Sequence, residues 1–156
     1  MLLYRILCAV LLAWSVNWSL VRPEAADLLR AVPEMAFLGP FAGAFVGFFS
    51  LSARQGWGVI VALANGVWAG VLSIALSGTA YMVIQLTQAV REGIITSFDK
   101  LVNVFSDAVE PLIEQLAHAP LLIVSLAAAA IVGLVTEFLH WLLVRFRRKR
   151  QRSSSA

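Results

Sequence analysis

Polar and apolar residues are segregated along this chain into long blocks. Four stretches contain no Asp, Glu, Lys or Arg, at 6–21, 35–53, 55–90 and 118–136. Each is long enough for a membrane-spanning helix, which needs about 20 mostly apolar residues and fewer where flanking side chains reach the interface. The pattern predicts spans at about 4–21, 35–53, 57–77 and 120–144.

The third stretch is 36 residues long, so it raises the question of a second span. A division at Ser77 to Thr79 would leave only eleven uncharged residues before Arg91, and Gln85 and Gln88 dilute those. That is too short for a span. We therefore expect a single third span ending near residue 77.

The segment at about 90–116 has a different pattern. Its apolar residues recur at helical spacing, which predicts one apolar stripe with an acidic face opposite and a kink or break at Pro111. The stripe comprises Ile94, Ile95, Phe98, Leu101, Val102, Phe105, Val109, Leu112, Ile113 and Leu116. The fold prediction is an all-α, integral membrane four-helix bundle with an additional extracytoplasmic amphipathic helix between spans 3 and 4. We expect that helix to pack on the chain's own spans, since its acidity disfavours adsorption to anionic lipid.

Composition narrows the function classes. The chain is 60% hydrophobic and 13% charged, against about a quarter charged in soluble domains. One cysteine, Cys8, and two histidines provide neither a disulfide, a thiolate-rich metal site nor a catalytic cluster. We expect no enzyme, no cofactor and no metal. The first span lacks a small-x-small cleavage site, so it is expected to be an uncleaved anchor.

Charge placement predicts orientation. Counting Arg5, Arg54 and the six tail cations gives eight residues on one side, against four on the other, Arg22, Arg30, Arg91 and Lys100. Because Lys and Arg favour cytoplasmic flanks, both termini are predicted to be cytoplasmic. Residues 145–156 are expected to form a basic, partly disordered tail. Its cations should attract anionic lipid at roughly 1 kcal/mol each rather than bind nucleic acid; they are Arg145, Arg147, Arg148, Lys149, Arg150 and Arg152.

Small residues mark helix-packing faces. Gly39, Gly43 and Gly47 share one side of the second span, and Gly66 and Gly70 share one side of the third. Such positions let helix backbones approach closely in lipid. These faces are compatible both with helix packing within one chain and with an interface between copies in a homo-oligomer.

Glu137 is the acid within the last apolar stretch. If that span begins after Pro120, about 20 residues of hydrocarbon end near His140, which leaves Glu137 about one turn inside the inner boundary. Intramembrane ionisable residues are candidates for function, although shallow ones are tolerated more easily. We expect an ion pair with His140, Arg54 or Arg5, with a proton or cation site as the alternative. Asn65 is a further polar candidate, expected to face another helix.

The chain resembles the TrgA family of small bacterial membrane proteins, which are associated with tellurite resistance. The segments that carry the resemblance are Arg54-Gln-Gly-Trp-Gly58, Asn65-Gly66 and Gly133-Leu-Val-Thr-Glu137, in an order of features that covers nearly the whole chain. The tail is longer and more basic than in the family, and the turn at 53–56 has less arginine and glycine. The resemblance implies the bacterial inner membrane and a role in tellurite resistance or envelope stress.

Three functions are compatible with these features. The first is a small non-enzymatic membrane protein that acts through helix packing and partners. Its expected partners are membrane lipids and either further copies of itself or the subunits of a larger membrane complex. The second is a proton or ion transporter or channel subunit using Glu137 and His140. The third is an accessory subunit of a larger membrane complex. Four spans without an inverted repeat weigh against transport by one chain.

Overall fold

The computed structural model describes residues 2–53, 56, 58–116 and 119–153. In this part of the chain every regular element is a helix. The α-helices are α1 Leu2–Leu20, α2 Ala26–Ala31, α3 Met35–Phe49, α4 Val59–Arg91, α5 Phe98–Leu116 and α6 Ala119–Ser153, with short 3₁₀ turns at Pro23–Ala25 and Leu51–Ala53.

Four segments of this chain are long and apolar enough to cross a membrane, as expected of a multi-pass membrane protein. They are Leu2–Leu20, Met35–Ala53, Val59–Arg91 and Pro120–Phe146. The predicted all-α fold with four helices of membrane-spanning length is confirmed.

Helix α4 is longer than the sequence pattern indicates, since it continues from the predicted end near residue 77 to Arg91. No proline interrupts these turns, and Gly93 with φ +68° follows the helix, where a left-handed glycine commonly ends one. At 1.5 Å per residue, its 33 residues extend about 50 Å, beyond the roughly 30 Å of hydrocarbon. Helix α4 is therefore longer than the apolar layer is thick.

Two other boundaries differ from the sequence pattern. Helix α5 begins at Phe98 rather than near residue 90, and Pro111 lies inside it without ending it. Helix α6 continues to Ser153, so most of the segment expected to be a partly disordered tail is helical. The last three residues lie outside the described part of the chain.

The four long helices form a ring. The most extensive contacts are those of α1 with α3 and of α4 with α6, and contacts of α3 with α4 and of α1 with α6 close the ring. One end of the bundle, around Tyr4, Gly58 and His140, is called the basic end. The other, covered by α2 and α5, is called the cap end.

The core lies in two layers. The layer nearer the basic end contains Leu12, Val46, Leu51, Ala69, Ala129 and Val132. The layer at the cap end joins residues of α2 and α5 to the long helices, through Ala25, Leu28, Val32, Met35, Tyr81, Ala108, Leu112 and Leu121. Tyr81 is buried there rather than facing an interface, because α2 and α5 cover this part of α4.

The glycines of α3 pack against α1 of the same chain. A Cβ added at Gly47 would lie 2.5 Å from the Cys8 carbonyl oxygen, and one at Gly43 would lie 3.2 Å from that of Leu12. Gly39 faces the side chains of Val16 and Leu20. Three turns of α3 thus pack closely on α1, and at Gly47 the approach leaves no room for a side chain.

The opposite side of α3 carries a row of exposed phenylalanines. Phe37, Phe41, Phe45 and Phe49 follow one another at four-residue spacing, and each is more than half exposed. Phe37 stacks on Phe41 with ring centroids 6.1 Å apart. This helix therefore presents glycine to its neighbour and aromatic rings to the surroundings, as expected of a helix packed in lipid.

A second glycine seam joins α4 to α6. A Cβ on Gly66 would collide with the Ala129 carbonyl oxygen, and one on Gly133 would collide with that of Ala62. At Gly70 an added Cβ would lie 2.8 Å from the Ala129 Cβ. Gly66 and Gly70 therefore contact the chain's own last span.

Gly66→Ala is expected to lower the free energy of unfolding by about 1–3 kcal/mol, the usual cost of overpacking a tight contact. Gly78→Ala is the matched control, because the same change on the same helix meets no atom within 4 Å. Reversible unfolding in mixed detergent micelles measures both variants. Equal stability of the two variants would contradict the packing described for this seam.

Candidate functional site

Glu137 lies at the basic end of the α4–α6 seam. It follows Gly133 by four residues, so both lie on the same face of α6. Gly133 packs against Ala62 in the first turn of α4. The side chain of Glu137 therefore reaches the connection between α3 and α4.

Two backbone amides of this connection donate to the Glu137 carboxylate. The N–H of Gly56 donates to Oε2 at 2.8 Å, and the N–H of Gly58 donates to Oε1 at 3.3 Å. Both carboxylate oxygens are thus engaged by the main chain. The acid attaches the connection to the last helix, at a sequence separation of about 80 residues.

The backbone conformation explains why two glycines are present. Gly56 has φ +95° and Gly58 has φ +99°, a region that residues with a Cβ rarely adopt. Gly58 is also the N-cap residue of α4. A carboxylate is favourable at a helix N-terminus, where amides lack intrahelical acceptors and the helix dipole is positive.

His140 and Tyr4 complete the cluster. A Cβ added at Gly56 would lie 3.3 Å from His140 Nε2, so the imidazole packs directly on this glycine. The rings of His140 and Tyr4 meet edge to face with centroids 5.7 Å apart. The Tyr4 hydroxyl donates to the Thr136 carbonyl oxygen at 3.0 Å. The site therefore links α1, the α3–α4 connection and α6.

The ion pair expected for Glu137 is not formed with His140 or Arg5 among the described residues. Within the described residues the only ion pair joins Asp27 and Arg30, both largely exposed. The Arg5 guanidinium lies over the Phe48 ring, 5.9 Å from its centroid. Arg54 lies outside the described residues. The described partners of the carboxylate are the two backbone amides.

The other predicted residues lie apart from this cluster. Asn65 is half-buried on α4, about 10 Å from Gly58 at 1.5 Å per residue. The guanidinium of Arg145 lies over the Trp141 ring, 5.1 Å from its centroid. The side chains of the remaining tail cations lie outside the described part of the structure: Arg147, Arg148, Lys149, Arg150 and Arg152.

Sequence reasoning missed Tyr4, Gly56 and Gly58 as members of the site. The signal available was Gly56-Trp-Gly58 directly before an apolar helix, where paired glycines indicate a turn with positive φ. Nothing in the sequence places Tyr4 beside Thr136, since 132 residues separate them.

The arrangement can fix backbone positions and accept hydrogen bonds. No group of three or more His, Cys, Asp or Glu side chains lies close enough to hold a metal ion among the described residues. Glu137 and His140 are half-buried, and Gly56 and Gly58 are exposed. The cluster thus lies at the surface of the basic end of the bundle.

Comparison with family models, with curated proteins and with solved structures finds no match for this chain.

Glu137→Ala is expected to speed hydrogen exchange at the amides of Gly56 and Gly58. It should also lower the free energy of unfolding by about 1–2 kcal/mol, since each hydrogen bond at such a site contributes about 0.5–1.5 kcal/mol. Glu110→Ala on α5 is the matched control, because that glutamate is exposed and remote from the site. Unchanged exchange at both amides would mean that the carboxylate does not hold the connection.

Proposed function

We propose that this chain is a small, non-enzymatic integral membrane protein in which Glu137 is a structural brace. The observation that carries the proposal is the engagement of both carboxylate oxygens by Gly56 and Gly58. Such a carboxylate fixes the start of α4 against the middle of α6. The protein then acts through its packed surfaces and the partners that recognise them.

The same observation supports the brace over proton or ion transport at Glu137. A transporting carboxylate must release one set of partners and take up another during each cycle. Here two main-chain donors of the same connection bind it, and the glycine seams on either side favour a fixed arrangement of the helices. Proton or ion transport through Glu137 and His140 is therefore the alternative hypothesis, and the Glu137 variants described below distinguish it from the brace.

The proposed cellular role is in tellurite resistance or envelope stress, which the resemblance to the TrgA family implies. Reduction of tellurite would need an electron donor such as a reactive thiol. Cys8, the only cysteine of the chain, is fully buried in α1. That burial supports an effect on uptake, envelope state or a partner complex rather than direct reduction.

The proposed orientation has the basic end in the cytoplasm and α5 outside the inner membrane. One flank of α5, with Ala108 and Leu112, is buried against the bundle. A second apolar flank, including Phe98, Phe105 and Ile113, is exposed. The remaining side is polar and acidic. This distribution supports a helix at the interface, in contact with protein, lipid headgroups and water.

Thiol labelling tests this orientation. In a Cys8→Ala background, a cysteine replacing Ser106 on α5 should react with a membrane-impermeant maleimide in intact spheroplasts. A cysteine replacing Ser155 in the tail should react only after permeabilisation. The opposite pattern would reverse the topology, and reaction of both sites in intact spheroplasts would refute a cytoplasmic C-terminus.

Survival in tellurite tests the role and the brace together. A deletion strain should lose resistance and recover it with the wild-type chain. Glu137→Gln keeps one acceptor oxygen for the two amides, so it should restore more resistance than Glu137→Ala. Resistance is expected to be highest with the wild type, lower with Glu137→Gln and lowest with Glu137→Ala. The stability of the purified variants should follow the same order.

Two results would contradict the proposal at different points. If the deletion strain is as resistant as its parent, the cellular role is wrong while the brace stands. If the Glu137→Gln variant is stably folded but restores no more resistance than Glu137→Ala, the protein needs a carboxylate that can titrate. Ion flux through wild-type protein in proteoliposomes, absent from Glu137→Gln, would then favour transport.

A further inference from the structure

A cavity of about 70 Å³ lies inside the bundle on the side of the cap end. Residues from all six helices line it. Leu28 of α2 and Leu112 of α5 close it toward the cap end, and Gly39, Gly70 and Ala129 lie toward the middle of the bundle. The cavity is several times larger than the roughly 10–15 Å³ that one water molecule needs.

The cavity has open space beside Gly78 of α4. At Gly70 an added Cβ would lie 3.4 Å from Leu126 Cδ2, so the two helices are in contact. Two turns further along the same face, an added Cβ at Gly78 would meet no atom within 4 Å. Leu122, one turn before Leu126, is half-buried and also lines the cavity. Gly78 and Leu122 both line the cavity and are partly exposed, so the cavity reaches the bundle surface between α4 and α6.

The lining is complementary to an uncharged, apolar occupant. None of its residues is charged. Three of its four serines donate their hydroxyls to carbonyls of their own helices: Ser19 to Ser15 at 2.9 Å, Ser73 to Ala69 at 2.8 Å, and Ser77 to Ser73 at 2.9 Å. Water needs two to four polar partners to occupy a buried site, and most of this lining is hydrocarbon.

The position of the opening identifies the source of such an occupant. Gly78 is the twentieth residue of α4, about 28 Å from its start at 1.5 Å per residue. With about 30 Å of hydrocarbon, this places Gly70 to Gly78 in the leaflet nearer the cap end. At that depth the neighbouring molecules are phospholipid tails.

We propose that the cavity between α4 and α6 binds the terminal few carbons of one acyl chain of a membrane phospholipid, since about 70 Å³ is too small for a whole chain. The chain enters past Gly78 and Leu122, and its end lies against Ser73, Ser77 and Ala129. The cavity is too small for a headgroup, which stays at the interface near α5. The site is independent of the brace at Glu137, which lies at the other end of the bundle.

Photocrosslinking in nanodiscs tests the proposal, using a phospholipid that carries a diazirine near the end of one acyl chain. Ser73 and Ser77 are only 2% and 6% exposed, so lipid outside the bundle does not reach them. Adducts mapped by mass spectrometry are expected on these buried residues of wild-type protein. Adducts confined to exposed residues such as Phe41 and Ile131 would overturn the proposal.

Two variants with the same new side chain sharpen the result. Gly78→Leu fills the opening, and Thr79→Leu adds leucine at the next position, which is exposed. Adducts on Ser73 and Ser77 should fall about tenfold in Gly78→Leu, the factor that corresponds to ~1.4 kcal/mol of lost binding. They should be unchanged in Thr79→Leu. Equal labelling of both variants would overturn the entry route.

Two controls accompany this experiment, one for the folding of the variant and one for the source of the bound acyl chain. The unfolding temperature of Gly78→Leu shows whether the bundle is intact, and Ser125→Leu blocks the cavity from α6 if it is not. A diazirine fatty acid without a headgroup serves as the second probe. Labelling of the buried serines by the free fatty acid alone would overturn the assignment to phospholipid.

Discussion

The close approach of α4 and α6 at Gly66 and Gly133 is the contact on which the rest of the structure depends. Each glycine faces a backbone carbonyl of the other helix at a distance that leaves no room for a side chain. In lipid the hydrophobic effect does not drive helices together, so short-range contacts of this kind must do so. A second seam, from Gly47 to Gly39 along α1, closes the other half of the ring by the same means.

The brace at the basic end follows from this seam. Gly133 holds α6 against the first turn of α4, and Glu137, one turn later, is thereby aligned with the amides of Gly56 and Gly58. An acid in a membrane helix is expensive unless its oxygens are satisfied. Here main-chain donors satisfy them, so the residue strengthens the end of a seam that the glycines begin.

At the cap end, the α4–α6 seam borders an apolar cavity instead of a polar cluster. Beyond Gly70 a cavity lies between the two helices, and Leu28 of α2 and Leu112 of α5 line it toward the cap end. The bundle is thus tight and polar where α4 begins, and open and apolar where α4 approaches the cap end. This gradient provides a fixed anchor at one end and space for a ligand at the other.

The sequence by itself determined the helical class, the four spans and the small-residue faces, because block hydropathy and four-residue spacing are local properties of the chain. It also singled out Glu137, since an acid among apolar residues is visible without a structure. Only the tertiary structure decided which helices the glycines contact, that the amides of Gly56 and Gly58 donate to Glu137, and that Tyr4 lies beside Thr136. Those facts depend on how segments distant in the chain are brought together. A hydrogen bond from a backbone amide cannot be recognised from the sequence, because nearly every residue has such an amide. The same holds for the cavity, because residues of all six α-helices line it.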